Sequence, residues 1–241
     1  MKQILDNHVR AYEGDLQYDF DNEILLNWYP QRILEYTKGK TSLLELGLGH
    51  GFTTSIFSKH FAKHIVLEGS DAVINNFYKK YEGCPAKIIK INFEEYNTSE
   101  KFDVIVMGFI LEHVDDPIQI LSHFKKYLAP GGQLFVAVPN AAVLNRRIGH
   151  AAGLLPDMQS LSENDHILGH QRYYTVETLS EDIKNSGYKI EKMEGIYLKP
   201  FTTSQIMSFN FDKNILNALC TIGIDYPELS CGILAQLKNI S

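Results

Sequence analysis

A turn with three glycines, placed directly after a short apolar run, constrains this chain more than any other feature of its sequence. The run 42–46 is followed by Gly47, Gly49 and Gly51, and a helix-like segment then begins. Glycine adopts the positive φ of a sharp turn and lets a ligand approach the backbone, and a helix that starts there exposes free N–H groups. The sequence therefore predicts a strand, a ligand-binding turn and a helix.

Apolar runs and helix-like segments alternate through much of the chain, and this alternation predicts a parallel sheet covered by helices on both faces. One helix is expected from the cap at Asp116–Pro117 through Leu128, because apolar residues recur there at helical spacing. Another is expected after the cap at Thr175. The remaining strand-like runs are 64–67, 86–91, 102–107, 133–138, 188–198 and 230–238.

Two segments of the sequence show no sustained periodicity of apolar residues. Residues 149–174 mix His, Asp, Arg and Tyr, and a stretch of this length in a compact domain is usually functional or carries short helices of its own. We interpret it as a loop or lid on the acceptor side of the site. Residues 202–226 have room for an additional helix between the last two strands.

Length, charge and cysteine content exclude several classes of protein. A chain of 241 residues is expected to form one domain, and its net charge of -6 disfavours duplex DNA or an anionic membrane as partner. The three cysteines form no C-x-x-C pair, and neither a signal peptide nor a long apolar segment is evident. We expect a cytoplasmic protein with a small-molecule partner, no nucleic acid and no membrane span, and a homodimer is an open alternative.

An acid precedes the glycine turn, and this decides which cofactor class fits. Glu45 lies two residues before Gly47, and the dinucleotide pattern G-x-G-x-x-G fails because Phe52 stands where its third glycine belongs. This departure disfavours NAD and FAD. A carboxylate beside the turn would repel a pyrophosphate and attract a cationic ligand.

The residues from Leu43 to Thr54 resemble the first motif of class I S-adenosylmethionine-dependent methyltransferases. The stretch from Met107 through Gly108 to Glu112 and His113 resembles the post-strand motif of small-molecule methyltransferases of the ubiquinone-biosynthesis type. The resemblance implies S-adenosyl-L-methionine as cofactor and an α/β, Rossmann-like fold. It further implies a seven-stranded, mostly parallel sheet with helices on both faces and an antiparallel last strand.

The resemblance also implies a set of cofactor-binding residues. Glu45 would lie beside the ammonium and sulfonium groups, Glu68 would accept the ribose hydroxyls, and Asn92 would accept from the adenine amino group, although a plain turn residue is an alternative there. The turn glycines, the residues after the second strand and the end of the fourth strand would complete the site. The full set is Tyr18, Glu45, Gly47, Gly49, Gly51, Glu68, Gly69, Ser70, Asn92, Phe93, Met107 and Gly108, with Tyr12 as an alternative to Tyr18.

His113 is the candidate catalytic residue, because it follows the fourth strand and a neutral imidazole can accept a proton near pH 7. A packing role is the alternative. His166, His170, Arg172 and Tyr173 are expected to line the acceptor pocket, with Arg172 binding a phosphate or carboxylate or else pairing with Asp165. No metal is expected, because Gly169 weakens a helix that would align the two histidines and no third ligand is evident.

The expected function is O- or N-methylation of a small polar acceptor, for example a sugar or a phosphorylated metabolite of surface-glycan or secondary metabolism. The alternatives are methylation of an aromatic or quinone-like lipid, favoured by a pocket of Phe109, Met158 and Phe201, and a protein that binds the cofactor without transferring its methyl group. Protein or tRNA methylation would need a basic patch around Arg146 and Arg147. The expected division of the domain is 1–40 as N-terminal cap helices, 41–140 as cofactor core, 141–174 as lid, and 175–241 as C-terminal helix and strands.

Overall fold

A seven-stranded sheet organises the protein, whose computed structural model describes residues 19–239 except for the side chain of Asn164. The strand order is β3-β2-β1-β4-β5-β7-β6. The strands are β1 (Ser42–Leu46), β2 (Lys63–Glu68), β3 (Lys87–Lys90), β4 (Phe102–Gly108), β5 (Leu128–Pro139), β6 (Tyr188–Leu198) and β7 (Ser230–Asn239).

The pairing of the strands confirms the predicted fold class. Strands β1 to β5 pair in parallel, whereas β7 lies between β5 and β6 and runs antiparallel to both. Strand order reverses between β1 and β4, because β2 and β3 extend the sheet on one side and β4 and β5 on the other. In open α/β sheets this reversal leaves a crevice at the carboxyl ends of the strands, where ligands bind.

Helices cover both faces, and alternate residues of the central strands supply both cores. In β4, Ile105 and Met107 belong to one cluster, and Val104 and Val106 belong to the other. The first cluster packs under α4 (Pro117–Lys125) and α7 (Val176–Asn185). The second packs under α1 (Asp19–Tyr36), α2 (Phe52–Phe57), α8 (Thr203–Ser208) and α9 (Lys213–Gly223), and the remaining helices are α3 (Asp71–Lys80), α5 (Leu144–Ala151) and α6 (Glu163–Leu168).

The predicted helix caps are confirmed, but one predicted helix end is wrong. The Asp116 side chain accepts from Gln119 N at 2.9 Å and Pro117 is the first residue of α4. That helix ends at Lys125 and not at Leu128, because Leu128 already pairs with Phe102 in the sheet. The pairing then shifts register, and β5 includes Pro130, Gly131 and Gly132, which lie between the predicted helix and the predicted strand 133–138.

The two segments without a period carry short helices. In the first segment, 149–174, helix α5 ends and helix α6 lies completely inside. In the second segment, 202–226, both α8 and α9 lie inside. Whether the segments 1–40, 41–140, 141–174 and 175–241 act as cap, core, lid and C-terminal part stays a prediction. Among residues 19–239, no helix is long and apolar enough to cross a membrane.

Replacing Thr175 by Ala should lower the free energy of unfolding by about 1 kcal/mol. Thr175 and Thr178 form a capping box, in which the Thr175 side chain accepts from Thr178 N and the Thr178 side chain accepts from Thr175 N at 2.9 Å. Glu181→Ala on the exposed face of the same helix is the matched control, for which a change within about 0.5 kcal/mol is expected. Equal stability of the two variants in denaturant unfolding would contradict a stabilising role of the cap.

Candidate active site

A cavity of about 860 Å³ opens at the carboxyl ends of β1, β2 and β4, where the strand order reverses. Its inner wall comes from the glycine turn, the end of β2, the segment after β3 and the segment after β4. Its outer wall comes from α1 and from residues of the segments 139–146, 162–173 and 199–204. The cavity therefore lies between the regular edge of a parallel sheet and the less regular segments that cover it.

The glycine turn is built from left-handed backbone. Gly47, Gly49 and Gly51 have φ of 80°, 48° and 79°. A Cβ on Gly51 would lie 2.5 Å from Cε2 of Tyr81 and 2.7 Å from Cδ2 of Phe77, both at or near the end of α3. Gly51 thus lets α2 begin against α3, and all three glycines line the cavity.

Glu45, the acid before the turn, is buried and fully hydrogen-bonded by protein groups. Its oxygens accept from Thr53 Oγ1 at 2.6 Å and Thr54 Oγ1 at 2.8 Å, and one of them lies 2.9 Å from His64 Nε2. The side chain is only 2% exposed, although the residue lines the cavity. Its carboxylate therefore joins β1 to the first turn of α2 and to β2, a structural role that the sequence did not predict.

Glu68 is held by two backbone donors at the end of β2. Its oxygens accept from Leu48 N at 3.0 Å and from Ser70 N at 2.8 Å, so the carboxylate is fixed against the glycine turn. Each carboxylate oxygen can accept more than one hydrogen bond, and the side chain lines the cavity with capacity for a further donor. Gly69 and Ser70 line the cavity beside it.

Asn92 and Phe93 also line the cavity, directly after β3. Asn92 precedes a 3-10 turn, Phe93–Glu95, but its side chain makes no capping hydrogen bond among the described residues. Phe93 is half-buried and packs against the core under α4. The cavity therefore has an amide and an aromatic ring side by side.

The end of β4 is enclosed by α1. Gly108 lines the cavity, and a Cβ there would lie 2.1 Å from Tyr29 Oη. Tyr29 is 2% exposed, and burial raises the pKa of its phenol well above the usual range. Only glycine at this position lets the tyrosine of α1 reach the strand end.

The turn after β4 places Glu112 and His113 at the cavity wall. Glu112 is completely buried, and neither carboxylate oxygen has a hydrogen-bond partner among the described residues. Burial raises the pKa of Glu112 to about 7. The His113 ring meets the His170 ring edge to face, with centroids 4.8 Å apart.

Asp165, at the start of α6, organises the part of the wall that segment 162–173 forms beside His113. It accepts from Tyr173 Oη at 2.6 Å and from Ser162 N at 2.7 Å, and lies 2.9 Å from His170 Nδ1. Burial opposes ionisation, but these hydrogen bonds hold the pKa of Asp165 well below its usual range. The carboxylate is thus charged and fixes His170 and Tyr173 at the cavity.

Three predicted site residues lie elsewhere. Of the described residues, Met107, His166 and Arg172 do not line the cavity. The Arg172 guanidinium donates to the carbonyls of Leu111 and Val114, so it anchors the turn after β4, and among the described residues it forms no ion pair with Asp165. Tyr12 and Tyr18 lie outside the described residues.

The arginines that could have formed a basic patch are engaged with backbone. Arg146 donates to Met158 O and Ser160 O, and Arg147 donates to Ala142 O and Glu228 O. These bonds hold the covering segments together. Arg146 additionally lies over the Tyr173 ring, 4.8 Å from its centroid.

A buried ion pair at the cavity was not predicted from the sequence. Lys199 Nζ and Thr203 Oγ1 both donate to Asp21 Oδ2, and all three residues are less than 10% exposed. Asp21 is in α1, and Lys199 follows β6, so 178 positions separate the two charges. Nothing in the local sequence marks them as partners, whereas Glu112 could have been found as the neighbour of His113.

Comparison with known proteins provides independent evidence. A family model described as "Methyltransferase domain" matches residues 21–193, which is more than half of the chain. A ubiquinone biosynthesis O-methyltransferase of Acinetobacter baumannii is 22% identical over 200 residues, covering 81% of this chain and 82% of that protein. A malonyl-[acyl-carrier protein] O-methyltransferase of Priestia megaterium is 23% identical over 231 residues, covering 88% and 79%.

Among solved structures, the N-methyltransferase NodS of Bradyrhizobium japonicum in complex with S-adenosyl-L-homocysteine is similar in fold. It superposes with a TM-score of 0.63 over 98% of each chain, at 15% sequence identity. The glycopeptide N-methyltransferase MtfA superposes with a TM-score of 0.58 over 89% of this chain and 90% of its own. The arrangement of strands and helices is therefore shared with these two N-methyltransferases.

Replacing Gly108 by Ala should destabilise the protein by about 1–3 kcal/mol, because the new methyl group would overlap the buried Tyr29 hydroxyl. Gly149→Ala in α5 is the matched control, since its Cβ would come no closer than 3.7 Å to any neighbour. Denaturant unfolding of both variants measures the difference. If G108A were as stable as G149A, the described packing of α1 on the strand end would be incorrect.

Proposed function

Because the chain belongs to the methyltransferase-domain family and uses S-adenosyl-L-methionine as its methyl donor, we propose that it methylates an oxygen or nitrogen atom of a small polar acceptor. The observation that carries the acceptor class is the polar lining of the outer half of the cavity. Asp21, Lys199, Asn145, Tyr173 and His170 all line it. A sugar or a phosphorylated metabolite fits such a lining.

The inner half fits the donor. Glu68 is fixed by two backbone N–H groups and retains capacity to accept ribose hydroxyls, and Asn92 offers an amide whose hydrogen-bonding groups no cap uses. The glycine turn leaves room for the ligand because no Cβ projects from its three glycines. When bound, S-adenosyl-L-methionine supplies a methyl group on a positively charged sulfur.

Glu45 is proposed to act on the donor site indirectly, through the glycine turn that it holds in place. Its two oxygens are already engaged by Thr53, Thr54 and His64, so we assign it the role of holding the turn and placing a negative charge behind it. A carboxylate at this place favours a cationic ligand over a pyrophosphate. This assignment modifies the direct contact that the sequence resemblance implied.

The chain's own contribution to transfer is alignment. The acceptor atom must lie in line with the methyl group, and the walls from α1 and from segment 162–173 can exclude water and orient the acceptor. His113, at the wall between the two halves, is proposed to orient the acceptor or to take its proton. His166 and Arg172, which do not line the cavity, are proposed to act on the acceptor only through the segment that carries His170 and Tyr173.

Methylation of an aromatic or quinone-like lipid is the second candidate. The curated relative from Acinetobacter baumannii, named for ubiquinone biosynthesis, favours it. Against it, Phe109 lines the cavity but Met158 and Phe201 do not belong to the lining that the described residues form. The first candidate accounts for more of the charged lining.

The donor site is tested by calorimetric titration with S-adenosyl-L-methionine, S-adenosyl-L-homocysteine and NAD. We expect the first two to bind and NAD not to bind. Glu68→Gln should weaken the binding of S-adenosyl-L-methionine by about tenfold or more. The glutamine amide has one acceptor oxygen where the carboxylate has two, and its NH₂ group would face one of the backbone N–H groups that now donate to Glu68. Glu82→Gln, on an exposed residue outside the cavity, is the control and should bind like the natural protein.

The acceptor class is tested by a methyl-transfer screen that includes phosphorylated sugars and hydroxylated aromatic compounds, with S-adenosyl-L-homocysteine formation as the readout. Turnover of the polar set alone supports the first candidate, and turnover of the aromatic set alone would replace it with the second. Lys199→Met should abolish turnover of a polar acceptor while leaving donor affinity within about twofold. Donor binding without turnover of any compound would favour a protein that binds the cofactor without transferring its methyl group.

A further inference from the structure

Three metal-ligand groups meet at one wall of the cavity. Glu112, His113 and His170 each offer one ligand atom, and these atoms all lie within 4.8 Å of one another. All three residues line the cavity, Glu112 and His113 from the turn after β4 and His170 from segment 162–173. Two imidazole nitrogens with one carboxylate form a common ligand set for divalent transition metals, with positions left open for other ligands.

The Glu112 carboxylate is the strongest indication that something binds there. It is completely buried, and both of its oxygens are without a hydrogen-bond partner among the described residues. A buried carboxylate with no partner is costly, and buried charges in proteins are normally paired or coordinate metals. A cation beside Glu112 would remove this cost.

His170 is prepared as a ligand by Asp165. Its Nδ1 lies 2.9 Å from Asp165 Oδ1, and since a carboxylate accepts, Nδ1 carries the proton and Nε2 carries the lone pair in the neutral ring. A carboxylate that holds the far side of a histidine in this way is the usual second partner of metal-binding histidines. Asp165 is itself fixed by Tyr173 and Ser162.

Backbone hydrogen bonds hold the two chain segments of the site together. Gln171 N donates to Glu112 O at 2.8 Å, and Gln171 Nε2 donates to His113 O at 2.8 Å. Arg172 donates to Leu111 O at 2.9 Å and also to Val114 O. These bonds place His170 beside two residues that precede it by 58 and 57 positions.

We propose that Glu112, His113 and His170 bind one divalent metal ion at the cavity wall. The ligand set favours Zn²⁺, Mn²⁺, Fe²⁺ or Co²⁺ over Mg²⁺ and Ca²⁺, because imidazole is a poor ligand for the latter two. Ligand atoms about 2.0–2.2 Å from an ion can be at most about 4.4 Å apart, so a small rotation of one side chain closes the site. The sequence had predicted no metal, because no third ligand was evident beside His166 and His170. The proposal differs from that expectation, since it combines His170 with Glu112 and His113.

The role of the ion rests on the proposed function, and it selects one of the two roles given to His113 there, because a histidine that binds the ion orients the acceptor through it and does not take the proton. An open coordination position would take the acceptor's hydroxyl oxygen and lower the pKa of that hydroxyl. The O–H bond then breaks with loss of the proton to solvent, and the oxygen forms a bond to the methyl carbon. The bond from that carbon to sulfur breaks with its electron pair staying on sulfur, so the charge of the sulfonium leaves as the released proton.

The experiment is a titration of the chelator-treated full-length protein with Co²⁺, followed by visible absorption, and with Zn²⁺, followed by calorimetry. We expect one equivalent of each to bind. Glu112→Gln and His170→Ala should each weaken binding by about 100-fold or more, and Asp165→Asn, which acts through His170, should weaken it about 10-fold to 100-fold. His166→Ala, four positions from His170 but exposed and away from the cavity, should bind like the natural protein.

Circular dichroism and thermal unfolding of each variant separate lost ligands from lost structure. E112Q is the informative variant, because it conserves shape and removes a buried charge. No binding of Co²⁺ or Zn²⁺ by the natural protein would overturn the proposal, as would binding that persists unchanged in E112Q and H170A.

Titration of the same metal-free samples with S-adenosyl-L-homocysteine distinguishes this proposal from the proposed function. Binding of the nucleoside product with no metal binding overturns the metal site alone. Metal binding with no affinity for the product overturns the proposed donor site and leaves the metal site standing.

Discussion

The three hydrogen bonds of Glu45 hold together the part of the protein on which the cavity depends. A carboxylate that is 2% exposed is tolerated only if its oxygens are satisfied, and Thr53, Thr54 and His64 satisfy them from α2 and β2. The glycine turn lies between these contacts, so its left-handed backbone is fixed at both ends. Glu68, which accepts from Leu48 N in the middle of the turn, adds a further point of attachment.

A buried carboxylate with satisfied hydrogen bonds also holds segment 162–173, which forms part of the outer wall of the cavity. Asp165 is hydrogen-bonded by His170, Tyr173 and the backbone N–H of Ser162. The Arg172 guanidinium donates to carbonyls of the turn after β4. Hydrogen bonds of polar side chains thus fix this segment in place, as strand pairing fixes the inner wall. This explains how a segment with little regular structure can present side chains in defined positions.

Most of the sheet could be predicted from the sequence, since each strand contains an apolar run and the helices α4 and α7 begin at caps that the residue types indicate. Residues of the inner cavity wall could also be located, because strands β1, β2 and β4 end near one another in any sheet of this order. Contacts between distant segments could not be predicted. Asp21 and Lys199, which form an ion pair, and Glu112 and His170, which lie close together, are far apart in the sequence, and a local pattern carries no information on such pairs. The role of Arg172 was missed for a related reason, since its partners are carbonyls and leave no trace in residue types.

The position of α1 has a consequence for how such a protein can diversify. Asp21, Leu25 and Tyr29 of this helix line the cavity, while the sheet beneath is completed by residues that follow it in the chain. The outer wall of the cavity therefore consists largely of side chains from segments outside the strand pairing. Substitutions of the cavity-facing side chains in α1 and in segment 140–173 can change that wall while the hydrogen bonds that fix the glycine turn are kept, so the acceptor could change without a change in the reaction.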